Sequence, residues 1–227
     1  QIFQLGESGE GSHLRRCAQA WIDRGGDPEY LAALKLFVQE ENRHADWMGQ
    51  FLTQEGLPLL EEQWSDGCFR FLRHLAGLRT SISVLVTAEI LAQVYYLALM
   101  RATGAPALQA ICRRILRDER AHVTFQQNQN RELSRHWGPL RRRWVSVLEN
   151  VLFEVARRIV WYDHRSVFVA AGMDWTTFRN RTSRRWKAAR KIRRPCVQPS
   201  VGKNVKSETE TAVPAGISQP STSRPSN

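Results

Sequence analysis

The chain has no Cys-x-x-Cys pair, and its four cysteines, Cys17, Cys68, Cys112 and Cys196, lie far apart. Zinc ribbons, thioredoxin-type redox motifs and cysteine-ligated iron modules are built on such pairs, so those classes are excluded. Three of the four sit in or beside apolar patterns, and the set is expected to be reduced packing residues of a cytoplasmic protein. Alternating strand-like runs are also scarce. Acidic residues are scarce in one stretch only. Residues 1–138 hold 15 Lys+Arg against 16 Asp+Glu, residues 139–196 hold 15 against 4, and residues 197–227 hold 3 against 2. The formal net charge of +11 therefore describes one C-terminal segment. No aromatic residue follows Pro195, where the chain turns to Pro, Ser, Thr and Gly, so residues 195–227 are expected to be a disordered tail. Gln1 rather than Met comes first, and further residues are expected before it.

What the sequence has in quantity is helical periodicity. A first helix is expected over about 3–23. "RGGDP" stops it, with Asp27 placed to cap the next helix and Pro28 in its first turn. A second helix runs to about Gln54, and a crossing segment with Trp64 and Gly67 follows. A third covers about 69–102, a fourth runs from Pro106 to about His136, and a fifth spans roughly 140–171 with a short basic helix at 175–192. The expected organisation is an all-α antiparallel four-helix bundle over 1–138, a fifth helix with a basic extension over 139–194, and the tail.

The stretch "TSISVLVTAEILAQVYYLALM" at 80–100 has one charge, Glu89, and is long enough to span a membrane. Glu89 and Gln93 at mid-span oppose that reading, because lipid penalises both. A helix covered on every side at the centre of a bundle is the expectation.

In "RDERAHVTFQ", the residues Ile115, Glu119, His122 and Gln126 share one helix face with Leu108, Ile111 and Cys112. "EENRHADWM" repeats the pattern: Glu41 and His44 continue the stripe Leu34, Phe37, Val38, Met48, Phe51. Two helices thus turn a Glu-x-x-His pair inward. Two others each turn a lone glutamate inward, Glu89 among Ile82, Leu85, Val86 and Tyr96, and Glu10 among Phe3, Gly6, Leu14 and Cys17. The depths agree. The midpoint of Glu10 and Glu41 is 25.5, at the Gly25-Gly26 turn, and that of Glu89 and Glu119 is Gly104. Each pair lies about 15 residues, roughly 22 Å, from its turn. Four buried carboxylates need compensation. Two divalent cations would supply it if the Glu41 and Glu119 carboxyl groups approach within about 8 Å. Four glutamates and two histidines are the ligand inventory of a dimetal carboxylate site in a four-helix bundle.

On these motifs, "EENRH", "TAEI" and "DERAH" together with Glu10, residues 3–136 resemble the ferritin-like superfamily of di-iron carboxylate proteins. The resemblance implies two iron ions, with manganese as the alternative. Glu41 and Glu119 would bridge them, Glu10 and Glu89 would be terminal ligands, and His44 and His122 would take one metal each. Asp118 would orient a ligand histidine across the bundle. The implied partners are dioxygen or peroxide and a small substrate. The fifth helix, apolar along Trp144, Val147, Val151, Val155, Ile159 and Tyr162, is expected to close the bundle, which favours a substrate oxidase or oxygenase over a cage ferritin. A ferroxidase or iron-handling protein is the alternative. A third reading is an interaction protein in which the basic segment 178–194 attracts an anionic partner weakly.

Secondary candidates carry blander readings. His13 forms a third Glu-x-x-His with Glu10 and is expected to be a neighbour. Asp163 and His164 could add a ligand pair, but a surface or packing contact is expected. Tyr95 and Tyr96 are expected in the core.

Because residues 195–227 supply no candidate ligand, their removal is expected to leave metal content unchanged. Metal analysis of the truncated chain checks this, and a loss of metal would show that the tail folds over the centre.

Overall fold

The computed structural model describes residues 1–3, 11–60 and 77–192. Glu10, the crossing segment with Trp64 and Gly67, the first residues expected in the third helix, Cys68, Cys196 and the tail lie outside the described residues. The described residues are helical throughout, with no strand among them. The helices are α1 (Ser12–Ile22), α2 (Glu29–Gln54), α3 (Leu78–Ala102), α4 (Pro106–Leu133), α5 (Pro139–Asp163), α6 (Arg165–Ala170) and α7 (Trp175–Ile192).

The turns follow the local chemistry. Gly25 takes φ 92°, a left-handed conformation open to glycine at low cost, between α1 and α2. Asp27 Oδ1 accepts the Glu29 N–H at 2.9 Å and so satisfies one of the first orphan donors of α2. Thr103 leaves helical geometry at the end of α3, Pro106 opens α4, and Pro139 opens α5 after an extended Gly138.

Short turns make α1/α2 and α3/α4 antiparallel hairpins. α1 lies beside α2 and α3, and α4 also lies beside both, so the four close a ring in the order α1, α2, α4, α3. A second layer covers the far side of α3: α5, α6 and α7 all pack on it, and α7 reaches α4 as well. This double cover explains the composition of α3. It is long and apolar enough to cross a membrane, with mean hydropathy 1.7, yet 78% of that window is buried by neighbouring helices. Ile82, Ile90, Leu91, Val94 and Tyr96 are inaccessible. Cys112 lies in the same core, its thiol pushed up to about 12 by burial. Cys17 and Cys112 are free thiols, as expected for packing residues.

Two features of the C-terminal half differ from the sequence reading. The fifth helix is not continuous to 171. His164, at φ −118° and ψ 18°, breaks it into α5 and the six-residue α6. Its buried side is also not the one periodicity selects. Trp144, Val147, Val151, Val155 and Tyr162 are exposed and Ile159 is half-buried. α5 packs instead through Glu149, Phe153, Ala156, Arg157 and Val160. Polar pairing makes that face buriable. Arg79 Nη2 donates to Glu149 Oε1 at 2.7 Å and Ser83 Oγ donates to it at 3.0 Å. Arg157 pairs with Glu154 and donates to Ser183 Oγ at 2.9 Å. Paired in this way, Glu149 and Arg157 escape the cost of isolated buried charge.

Aromatic rings fasten the reversal from α5 to α7. Trp161 stacks on Phe168 at 5.3 Å, and Phe168 meets Phe178 at 4.5 Å. The basic α7 is anchored by its other side: Trp186 stacks on Phe153 at 4.5 Å and its Nε1 donates to Asn150 Oδ1 at 2.9 Å. Phe178 and Trp186 are therefore core residues, and most cations of this segment face outward.

His164 lies buried at the α5–α6 junction, its ring 4.8 Å from Phe3 and 4.7 Å from Tyr95. Burial pushes its pKa down to about 4. In an unfolded chain it would titrate near about 6.5. Its contribution to stability is thus present above about pH 6.5 and is lost as pH falls toward 4, at about 1.4 kcal/mol per pH unit. In His164→Phe that acid-side loss is expected to disappear. Thermal midpoints between neutral and mildly acidic pH should fall more steeply for the wild type than for the variant; parallel slopes would refute the assignment.

Candidate metal centre

Three helices turn carboxylates to one point. α2 presents Glu41 and His44, α3 presents Glu89, and α4 presents Glu119 and His122. On α2 and α4 the three-residue step sets glutamate and histidine on one face. One ligand atom from each of Glu41, Glu89, Glu119 and His122 lies within 4.8 Å of all the others. This meets the distance condition on Glu41 and Glu119 and gives the α3/α4 register expected from the Gly104 midpoint. The cluster is interior: Glu89, Glu119 and His122 are buried, and the Glu41 side chain, 18% exposed, forms its open edge.

His122 Nδ1 stands 2.9 Å from Glu41 Oε1 and 3.8 Å from Glu89 Oε2. His44 joins from the side, its Nδ1 3.7 Å from Glu41 Oε1 and 4.0 Å from Glu119 Oε1. The imidazole rings are 5.8 Å apart.

The outer nitrogens are as informative as the inner ones. His44 Nε2 lies 3.3 Å from Asp118 Oδ2 on α4, and His122 Nε2 lies 2.9 Å from Glu40 Oε2 on α2. Each helix thus orients the histidine of the other. Each orienting carboxylate is also held by an arginine of its own helix, Asp118 by Arg114 Nε at 3.3 Å and Glu40 by Arg43 Nη2 at 3.4 Å. A carboxylate accepts only, so each histidine presents an N–H outward and directs Nδ1 to the glutamates. Burial alone would lower the pKa of His122, but hydrogen bonds to Glu41 and Glu89 and their charges outweigh it and raise it to about 11. In the metal-free protein this ring carries a second proton that a cation would replace.

Phe37 stands edge-on to the His122 ring at 4.8 Å, and Trp47 flanks His44 at 5.8 Å. From α3, Gln93 Nε2 donates to the Glu119 carbonyl at 3.3 Å, and Arg185 Nε of α7 donates to Gln93 Oε1 at 3.3 Å. The second layer therefore touches the backbone of the centre.

Of the six residues singled out in the sequence, four converge, His44 stands beside them, and Glu10 lies outside the described residues. Asp118 takes the orienting position expected of it. Asp163 is half-buried at the end of α5, and no hydrogen bond or ion pair joins His164 to the cluster among the described residues. Tyr95 and Tyr96 pack in the core. His13 lies 3.4 Å from Cys17 Sγ. Sequence reasoning missed Glu40, although the signal was present: it precedes Glu41 as Asp118 precedes Glu119. Gln93 was noted only as a polar residue in an apolar run, and Arg185 carried no signal.

Comparisons with protein families, curated proteins and solved structures gave no match for this chain.

The donor set fits a cation. Glu119 Oε2 is buried and accepts no hydrogen bond. Such an atom costs about 1–3 kcal/mol, more when charged. In metal-free protein Glu119→Gln is expected to raise stability, because it keeps the shape and removes one of three crowded buried carboxylates. Thermal midpoints in the presence of a chelator check this; a variant less stable than wild type would show that the carboxylates are already balanced without a cation.

Proposed function

We propose that the cluster is a dimetal carboxylate centre in a ferritin-like bundle, and that the protein is an oxidoreductase that uses dioxygen or peroxide to oxidise a small substrate. The observation that carries this reading is the reciprocal crossing of α2 and α4, in which Asp118 holds His44 and Glu40 holds His122 so that both Nδ1 atoms face three glutamates. A structural histidine needs one partner. Two histidines oriented from outside toward a shared set of carboxylates are arranged to bind.

Glu41, His44, Glu89, Glu119 and His122 would hold the metals, with Glu10 as the sixth ligand implied by resemblance. Three carboxylates and two imidazoles suit iron or manganese. Such a pair supplies electrons to dioxygen or peroxide when bound. The chain's own residues do the rest. Phe37 and Trp47 shield the imidazoles from water, Asp118 and Glu40 fix the ring orientations, and Glu41 leaves one edge open to solvent.

About two metal ions per chain are expected in protein prepared with ferrous iron, against far larger loading for an iron store. Asp118→Asn and Glu40→Gln should each weaken metal affinity about 10–100-fold. Glu119→Ala should abolish the metal-dependent rise in thermal midpoint and sharply reduce oxygen uptake by the ferrous protein. Wild-type protein that takes up neither iron nor manganese would overturn the reading, as would a Glu119→Ala variant that keeps both properties.

A further inference from the structure

The outer face of α5 carries an apolar stripe along its length that nothing among the described residues covers. Leu140, Trp144, Val147, Leu148, Val151, Val155 and Tyr162 are all exposed, Trp144 at 64% and Tyr162 at 79%. Leu140, Trp144, Val147, Val151 and Val155 follow at steps of three and four, Tyr162 continues that row seven residues on, and Leu148 flanks it on the same side of the helix. Together they leave roughly 800 Å² open, which is about one partner's share of a stable interface and more than the largest apolar patch of a typical monomer.

The order of the stripe says what covers it. Counted from Val151, its residues fall at −11 (Leu140), −7 (Trp144), −4 (Val147), +4 (Val155), +7 (Arg158) and +11 (Tyr162). The spacing reads the same in both directions. A two-fold axis through Val151 therefore sets two copies of α5 antiparallel with these seven positions matched, while Leu148 at −3 comes level with the partner's Glu154. Leu140 meets the partner's Tyr162, Val147 meets the partner's Val155, and Val151 meets the partner's Val151. Trp144 comes level with the partner's Arg158. That guanidinium is held in place by Glu154 Oε2 at 3.0 Å and meets an indole face, a favourable cation–π pair. Self-complementarity of one patch is what an isologous dimer interface requires. A lipid surface fits less well, because Arg158 lies within the stripe, between Val155 and Tyr162, and would have to enter the apolar layer.

We infer that this face is a two-fold interface between two copies of the chain, with α5 packed antiparallel against α5 about Val151. The inference is independent of the metal centre, because the stripe uses none of its residues.

The test is the mass of the full chain in solution by sedimentation or light scattering, followed up to about 100 μM, where even a micromolar dimer is fully populated. Wild type is expected to be a dimer. Val151→Glu, which places two carboxylates on the axis, should be a monomer with unchanged helical content. Lys187→Glu, on the exposed side of α7, should remain a dimer. Under mild oxidation Val151→Cys should join to the same residue of a second chain. Val155→Cys should not join to itself but should join to Val147→Cys in a mixture, with the linked peptides identified by mass. A wild-type monomer over this range would overturn the inference. So would a dimer that Val151→Glu leaves intact, or one whose linked cysteines fit another register. A monomer that binds vesicles of anionic lipid through Trp144 would assign the face to a membrane surface instead.

Discussion

A carboxylate taken out of water has to be balanced, and the centre of this molecule is organised by three of them. Glu41, Glu89 and Glu119 come from three different helices, so no local turn chemistry brings them together. Glu89 and Glu119 meet because the short turn at Gly104 sets the register of α3 and α4, and Glu41 joins them because apolar stripes bring α2 against α4. The position is held from outside by Asp118, Glu40 and Gln93, each fixing a nitrogen or a carbonyl of the cluster. Glu89 itself faces α2 and α4, while α5, α6 and α7 cover other sides of its helix. The second layer reaches the centre through Arg185 and Gln93, without supplying a carboxylate to it.

Much of this was legible in the sequence, and the reasons are local. Helix ends at Asp27-Pro28, Thr103–Pro106 and Gly138-Pro139 are written in residues with strong conformational preferences. The Glu-x-x-His pairs are visible because a three-residue step on a stripe of Leu, Phe and Val has one interpretation, an inward polar pair. The α3/α4 register could be computed because that hairpin has a short turn, whereas the expected match of Glu10 with Glu41 lies outside the described residues. Glu40 escaped notice because attention to the inward face discards neighbours that lie a third of a turn away, yet a long side chain there reaches the histidine of the facing helix. Arg185 escaped for another reason: it acts from a helix more than sixty residues farther along the chain, and its place depends on tertiary packing alone.

The misreading of α5 has a more general cause. Hydrophobic periodicity selects the most apolar side of a helix, and burial selects the side whose groups can all be satisfied. These coincide in α2 and α4 but not in α5. There the buried side carries Glu149, matched by Arg79 and Ser83, which no local window contains, and Arg157, matched by Glu154 one turn away and by the distant Ser183. Arg157 is 1% exposed. The charge count of residues 139–196 treats such an arginine like Lys187, although only the latter is presented to solvent. The basic segment is thus a packed helix with an aromatic inner side, most of its cations lying outward and Arg185 turning inward to Gln93.

The two halves of the centre are close to symmetric. Glu40-Glu41-x-x-His44 on α2 faces Asp118-Glu119-x-x-His122 on α4, and each half donates an orienting carboxylate to the other. They differ in one methylene. The longer Glu40 reaches His122 at 2.9 Å from a position 39% exposed, while the shorter Asp118 reaches His44 at 3.3 Å and is 19% exposed. On the α2 side, therefore, both the orienting carboxylate and Glu41 lie near solvent, whereas Glu119 is sealed. An antiparallel pair with identical motifs would present two equal edges; among the described residues, the more exposed Glu40 on one side and the sealed Glu119 on the other make the two edges unequal.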